Sequence, residues 1–136
     1  MIGGKAPDFT VKDSERTVAL RDFRGKLIVL NFWATYCEPC VEEMPSLVQL
    51  QKQMGPNVTV LAVSSDPDES KYRRFLETYH IDFLTVRDPQ AKTSALYGTT
   101  GIPETFIIDR SGVIRRKMIG PVNWSSPEMI EYLKKL

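Results

Sequence analysis

Two cysteines, Cys37 and Cys40, are the residues of this chain whose type and spacing could carry out redox chemistry. They lie in the segment WATYCEPC and are the only cysteines among the 136 residues. A disulfide between them would close a loop that holds only Glu38 and Pro39, so it would constrain the unfolded chain very little. A structural crosslink is therefore a poor explanation of the pair, and a dithiol/disulfide couple is a better one.

The cysteines are predicted to stand at the junction of a buried strand and a helix. The apolar run Leu27–Trp33 is typical of a strand that is buried on both faces. After Cys37 the apolar residues recur at helical spacing until Gly55, which ends the helix. The unpaired N–H groups and the positive end of the helix dipole would then stabilise a Cys37 thiolate. We expect Cys37 to be the nucleophile and Cys40, one turn deeper, to resolve the mixed disulfide.

The two residues between the cysteines are candidates for redox tuning. Glu38 brings a negative charge next to Cys37 and opposes thiolate formation. Pro39 has no N–H, so one possible donor to the thiolate is missing. Both effects favour the disulfide over the dithiol, and we expect a comparatively reducing couple that gives electrons away.

The rest of the pattern predicts a single domain over residues 1–136, with a central mixed β-sheet flanked by helices. Alternating apolar residues within positions 9–20 indicate an N-terminal β-hairpin. Further strands are predicted at Val58–Ser64, Phe83–Val86, Thr105–Asp109 and Val113–Ile119, and further helices from Asp66-Pro67, over Gln90–Tyr97 and from Ser126 to Leu136. Pro45 falls inside the first helix, and the only histidine, His80, is expected in a capping or surface role at a helix end.

Composition excludes several classes of function. Eighteen basic and 17 acidic residues give a net charge of +1, which does not favour binding to nucleic acid or to an anionic membrane. One cysteine pair and one distant histidine do not supply the ligands of a metal site, so we expect no metal and no cofactor beyond the disulfide itself. No run of apolar residues reaches the length of a membrane-spanning helix, and the N-terminal segment MIGGKAPDF lacks the features of a signal peptide.

Longer segments carry a resemblance to a known family. The motif WATYCEPC after LIVLNF, the later GIPETFIID, and the N-terminal APDFTVKD and ALRDFRGK resemble the TlpA/ResA-like group of thioredoxin-fold proteins. The tail GIPETFIIDRSGVIRRKMIG resembles the cytochrome c maturation member CcmG, also called DsbE, whereas CEPC is closer to ResA. The resemblance covers nearly the whole chain and implies a thioredoxin-like fold with an added N-terminal hairpin.

The same resemblance implies a function and a location. It points to an extracytoplasmic thiol–disulfide oxidoreductase that acts as a reductant, and whose anchor or signal segment is absent from this sequence. The implied partners are a protein disulfide substrate, such as the CXXCH cysteines of apocytochrome c, and a membrane-bound thiol donor. We expect the protein to be a monomer.

The resemblance also assigns residues to substrate binding. Pro103 would be the cis-proline that faces the disulfide, and Ile102 would offer its backbone to an extended substrate strand. From the residues alone, an ordinary turn or edge-strand proline is the more frequent case. Trp33 and Tyr36 would form an aromatic rim for the partner chain, although Trp33 could also belong mainly to the core.

A carboxylate near the cysteines is expected but not fixed by the sequence. Asn31 occupies the place of a buried aspartate in thioredoxins and cannot exchange a proton, so another group must serve Cys40. Glu69 resembles in position the glutamate that ResA-type proteins hold near their cysteines. Alternatively, Asp66-x-x-Glu69 is a capping box at the start of a helix. Glu104 is a second candidate for redox tuning or substrate contact.

Two other functions remain open at this point. The N-terminal segment also resembles peroxiredoxins, but residues 30–37 read LNFWATYC and lack the proline of a Pro-x-x-x-Thr/Ser-x-x-Cys motif. A redox-independent chaperone or assembly adaptor could use the same groove to hold unfolded chains. That alternative predicts binding that survives replacement of both cysteines by serine.

Overall fold

The computed structural model describes all residues from Met1 to Leu136. The chain begins with a small antiparallel hairpin in which β1 (Thr10–Lys12) pairs with β2 (Thr17–Ala19). A short 3₁₀ helix (Leu20–Phe23) follows and leads into the central sheet. The predicted N-terminal hairpin is confirmed.

Five strands form the central sheet, in the order β5-β4-β3-β6-β7. They are β3 (Ile28–Trp33), β4 (Thr59–Ser64), β5 (Leu84–Arg87), β6 (Glu104–Ile108) and β7 (Ile114–Ile119). Strand β4 runs parallel to both β3 and β5, whereas β6 is antiparallel to β3 and β7. The predicted mixed sheet is thus confirmed, because a parallel β3-α-β4 unit adjoins an antiparallel β6–β7 hairpin.

Four helices accompany the sheet. They are α1 (Glu38–Met54), α2 (Glu69–Thr78), the short α3 (Lys92–Leu96) and α4 (Pro127–Lys134). Pro45 lies inside α1, as the sequence predicts, and its side chain is exposed. None of the helices is both long enough and apolar enough to cross a membrane.

The start of α2 corrects one prediction. Its N-cap is Asp68, whose carboxylate accepts the N–H of Lys71 at 3.1 Å. Asp66 is not the cap, so the capping box of Asp66 and Glu69 is wrong. At the other end of α2, His80 is exposed and adopts a φ of 51°, which confirms its place at a helix end.

Each face of the sheet packs against a different layer. Strand β3 is buried at all six residues, as its continuous apolar sequence predicts. One face packs against α1, α2 and α4 through a core that includes Trp33, Leu47, Tyr72 and Leu133. The other face is covered by the N-terminal hairpin and by Tyr97, which follows α3. The second layer therefore consists mainly of the hairpin, with one short helix beside it.

Candidate active site

The two cysteines form a disulfide at the point where β3 gives way to α1. Their Cα atoms are 5.2 Å apart, within the range that a disulfide requires. Cys37 is half-buried and Cys40 is fully buried behind it. An incoming chain can therefore reach Cys37 first, which supports the predicted order of nucleophile and resolving thiol.

Cys37 is itself the N-cap residue of α1. Its Sγ atom accepts the backbone N–H of Cys40, with 3.3 Å between sulfur and nitrogen. Glu38 and Pro39 occupy the first two positions of the helix, where a proline is well tolerated because the N–H groups there lack helical acceptors. Both side chains are exposed, so solvent screens the charge of Glu38. The helix start thus directs a donor and its positive dipole at the attacking sulfur.

The loop before β6 faces the same sulfur. The Ile102–Pro103 peptide bond is cis, as the family resemblance implies. The carbonyl oxygen of Ile102 is 3.7 Å from Cys37 Sγ, so the thiol formed on reduction could donate to it. Ile102 is half-buried and Pro103 is buried. The structure thus brings the backbone of Ile102 next to the more accessible cysteine.

Glu104 holds this loop in place by accepting hydrogen bonds from its backbone. Its side chain is buried, and Oε2 accepts the backbone N–H groups of Thr100 and Gly101, both at 3.1 Å. Oε1 faces Lys117 Nζ at 3.3 Å in an ion pair that lacks hydrogen-bond alignment. None of these contacts reaches a cysteine. The contacts of Glu104 indicate a residue that positions the loop, which is a different role from the predicted redox tuning.

A buried carboxylate one turn beyond Cys40 was not predicted from the sequence. Glu43 Oε2 accepts Trp124 Nε1–H and the N–H of Val122, both at 2.9 Å, and Oε1 accepts Asn31 Nδ2–H at 3.0 Å. Burial raises the pKa of Glu43, and the three donors only partly offset this effect. A sequence signal existed, because Glu43 lies on the apolar stripe of α1 beside Met44, where an unpaired charge would be costly.

Comparison with known proteins identifies the family. A sequence profile described as the AhpC/TSA family matches residues 2–117. The chain belongs to the AhpC/TSA family. It is 34% identical over 137 residues to the thiol–disulfide oxidoreductase ResA of Bacillus thuringiensis. The aligned region covers 99% of this chain and 78% of ResA. The chain is also 38% identical over 122 residues to the thioredoxin-like protein YneN of Bacillus subtilis, with 87% of this chain and 71% of YneN covered. The predicted ResA-like family is confirmed.

Solved structures agree with this assignment. A protein from Chlorobium tepidum, described as a DsbE-type thiol:disulfide interchange protein, superposes with a TM-score of 0.86 at 32% identity, over 99% of this chain and 94% of that one. A DsbF homologue from Corynebacterium diphtheriae shares the fold, with a TM-score of 0.86 at 24% identity, over 98% of this chain and 88% of the homologue. The thioredoxin-like fold is confirmed, and this member of the family is a thiol–disulfide oxidoreductase with a CXXC disulfide.

The aromatic residues near the disulfide play two different roles. Trp33 is fully buried and packs against Tyr72 and Phe75, with ring centroids 6.1 and 5.4 Å away. Its prediction as part of a substrate-binding rim is therefore wrong, and the core alternative is correct. Tyr36 is 68% exposed on the loop that leads to Cys37, which is compatible with its predicted contact to a partner chain.

Glu69 and Asp66 make hydrogen bonds other than those predicted from the sequence. The Glu69 carboxylate accepts a hydrogen bond from Ser14 in the turn of the N-terminal hairpin, and none of its hydrogen bonds reaches the cysteines. Asp66 is buried and accepts the N–H of Thr35 with both oxygens at 3.1 Å. It therefore holds the loop that carries Cys37, a contact between distant parts of the chain that local sequence does not reveal.

The structure also bears on the peroxidase alternative. Leu30 stands where a peroxiredoxin motif would place its proline, and it is a buried residue in the middle of β3. The approach to Cys37 is therefore a regular strand followed by a short turn. This geometry does not favour the peroxidase alternative.

Proposed function

We propose that this oxidoreductase is an extracytoplasmic reductant of protein disulfides, and that its substrate is an exported protein such as apocytochrome c with its CXXCH cysteines. The observation that carries the proposal is the position of Cys37 Sγ. It caps α1, it is 3.7 Å from the Ile102 carbonyl oxygen, and it lies in front of the fully buried Cys40. The relationship to ResA and the structural likeness to a DsbE-type protein support the same activity.

The exchange proceeds in two balanced steps. The Cys37 thiolate attacks one sulfur of the substrate disulfide, and the other substrate sulfur leaves as a thiolate that takes up a proton. Cys40 then loses its proton and attacks Cys37 Sγ, which forms the Cys37–Cys40 disulfide and expels the second substrate thiolate. Two electrons and two protons pass from the dithiol to the substrate.

Three groups would assist these steps. Glu43, one helical turn from Cys40, would accept the proton that Cys40 loses, because burial raises the pKa of this carboxyl group and makes it a better base. The backbone of Ile102 would pair with the substrate chain by β-addition. Tyr36 would contact the same chain, since its ring is already exposed next to Cys37.

We infer the direction of electron flow from the residues next to Cys37. Pro39 removes a backbone donor that could serve the thiolate, which favours the oxidised form of the enzyme, whereas solvent screens the charge of the exposed Glu38. A reductant of this kind needs a membrane-bound thiol donor that returns it to the dithiol state. We also propose that the protein acts as a monomer, since the site is built from one chain.

A trapping experiment tests the exchange. Cys40→Ser is mixed with an oxidised peptide that contains CXXCH, and the products are separated by non-reducing electrophoresis and mass spectrometry. We expect a covalent adduct on Cys37 that dithiothreitol releases, and none with Cys37→Ser. A peptide with a single thiol serves as the control. An adduct of Cys37→Ser through Cys40, or no adduct at all, would contradict the assigned roles.

Two further measurements separate the alternative functions. Equilibration with glutathione gives the reduction potential, which we expect to be more reducing than that of glutathione; an oxidising value would overturn the reductant direction. Binding of the peptide by the Cys37→Ser/Cys40→Ser double variant, with affinity equal to that of the wild type, would instead support the redox-independent adaptor.

A further inference from the structure

A cavity lies at the end of the sheet opposite to the cysteines. Its volume is about 360 Å³, and its apolar floor is formed by Leu20, Phe23, Ile28 and Ile108. Ile28 begins β3 and Cys37 follows the other end of this strand. Six strand residues span roughly 20 Å at about 3.3 Å each, so the cavity is separate from the redox site.

The rim of this cavity is strongly basic. Five cationic side chains and two carboxylates line it: Lys5, Arg21, Arg24, Lys26, Arg110, Asp8 and Asp109. Their formal charges sum to +3, whereas the whole chain carries +1. The remaining charged residues together carry −2, so positive charge is concentrated at this one concave site.

The two carboxylates of the rim are already engaged. Asp8 Oδ2 pairs with Arg21 NH1 at 3.3 Å, and Asp109 Oδ2 pairs with Arg115 NH1 at 3.3 Å. Asp109 Oδ1 also accepts the N–H groups of Ser111 and Val113. Four of the rim cations make no ion pair with any carboxylate of the chain: Lys5, Arg24, Lys26 and Arg110. Arg110 donates to the backbone carbonyl oxygens of Gly25 and Asn57, at 3.4 and 3.3 Å. The side chains of Lys5, Arg24 and Lys26 make neither an ion pair nor a hydrogen bond within the chain, so their donors are available to a ligand.

We infer that this cavity binds a phosphate group joined to an apolar moiety. Guanidinium and ammonium groups on a rim suit phosphate oxygens, and arginine matches them with paired hydrogen bonds. The apolar floor suits the attached group, and the volume is in the range of small-molecule sites. The ligand can come from two sources that share this chemistry, a soluble phosphate ester or an anionic phospholipid. The inference does not depend on the proposed reductant function.

Phenyl phosphate is a suitable soluble probe. In a titration followed by ¹⁵N–¹H correlation spectra, we expect saturable shifts of the amides of Gly25, Ser111 and Gly112, which line the cavity. The double variant Arg24→Gln/Lys26→Gln should weaken binding about tenfold or more, because charge-assisted hydrogen bonds are lost. Both side chains are exposed, so the variant should fold normally.

A matched control changes the same number of charges elsewhere. Lys71→Gln/Arg74→Gln removes two exposed cations of α2 that make no ion pair, and it should leave the affinity unchanged. Inorganic phosphate should bind more weakly than phenyl phosphate, since it cannot contact the floor. Reduction of a protein disulfide should proceed at the wild-type rate in both variants, which separates this test from that of the redox site.

Vesicles distinguish the source of the phosphate. Co-sedimentation with phosphatidylglycerol vesicles but not with phosphatidylcholine, lost in the Arg24/Lys26 variant and kept in the control, would identify a phospholipid headgroup. Saturable shifts with phenyl phosphate but no sedimentation would identify a soluble ester. Absence of both, or equal binding by the Arg24/Lys26 variant, would overturn the site. Equal affinity for inorganic phosphate would overturn the apolar half of the inference.

Discussion

Each of three loops around the start of α1 is tied to the interior by one buried carboxylate. Asp66 accepts the N–H of Thr35 in the loop before Cys37. Glu104 accepts the N–H groups of Thr100 and Gly101 in the cis-proline loop. Glu43 accepts the N–H of Val122 after β7. A hydrogen bond to a charged acceptor stabilises by roughly 1.5–3 kcal/mol, so these loops are held more firmly than solvent-exposed connections usually are.

Glu43 should give the protein a distinctive pH dependence. Its folded pKa is raised above the ordinary value of 4.5, so between 4.5 and the folded pKa the native state holds a proton that the unfolded chain has lost. The free energy of unfolding should therefore fall as the pH rises through this window. Urea unfolding of the wild type between pH 4.5 and 7.5 should show this slope, and Glu43→Gln should flatten it.

Glu42→Gln is the matched control for this measurement, because Glu42 is the exposed neighbour of Glu43. Its slope should equal that of the wild type. Asp13 and Asp109 have lowered pKa values, and their effect has the opposite sign and falls below pH 3.8. Parallel slopes for Glu43→Gln and the wild type would contradict the prediction.

Asp13, in the turn of the N-terminal hairpin, links this hairpin to both β5 and α2. Asp13 Oδ2 accepts the N–H of Arg87 at the end of β5 (2.9 Å), and Oδ1 accepts the N–H groups of Glu15 and Arg16. Arg73 NH2 of α2 is 3.5 Å from the same carboxylate. Burial opposes ionisation, but these donors and Arg73 outweigh it and lower the pKa of Asp13.

Asp13→Ala should therefore destabilise the fold by about 1–3 kcal/mol, since the part-buried Arg87 N–H loses its acceptor. The lowered pKa means that the wild-type advantage is present above pH 3.8 and disappears as the pH falls through the folded pKa. Glu15→Ala is the control, because Glu15 is exposed and pairs with the same Arg73 at 3.8 Å. It should cost less than about 1 kcal/mol. Equal unfolding free energies for the two variants in urea would refute the linking role of Asp13.

Elements with a local signature could be predicted from the sequence. The continuous apolar run before Trp33 and the helical spacing after Cys37 determine β3 and α1 on their own. The cap of α2 could not be determined this way, because Asp66 and Asp68 are both good cap residues two positions apart. The choice depends on Thr35, which engages Asp66 from another loop.

The active site, like the fold, could be predicted only where it has a local sequence signature. The cysteine pair and the cis-proline were found by their motifs, whereas the environment of each carboxylate was not. The donors to Glu43 come from Val122 and Trp124, far along the chain, and those to Glu104 fold back from its own loop. The local sequence does not predict such contacts, because they form only when the sheet topology brings these segments together.

The two hydrophobic cores share one sheet and should unfold together. Trp33 and Trp124 lie in the core on the helical side, and Tyr97 lies in the core under the hairpin. If the chain is a single domain, as the sequence predicts, the urea transitions followed by tryptophan fluorescence, far-UV circular dichroism and the resonances of Tyr97 should coincide. A separate, earlier transition at Tyr97 would contradict it and would indicate that the hairpin layer unfolds independently.

The use of a reactive sulfur as the cap of α1 has a kinetic consequence. The Cys40 N–H and the helix start favour negative charge on Cys37, and this holds both when the sulfur attacks and when it departs. The mixed disulfide between Cys37 and a bound protein therefore forms rapidly and also reverts rapidly to its reactants. Net transfer then depends on how soon the buried Cys40 thiol is ionised. The slower resolving step, rather than the attack by Cys37, therefore limits the overall exchange.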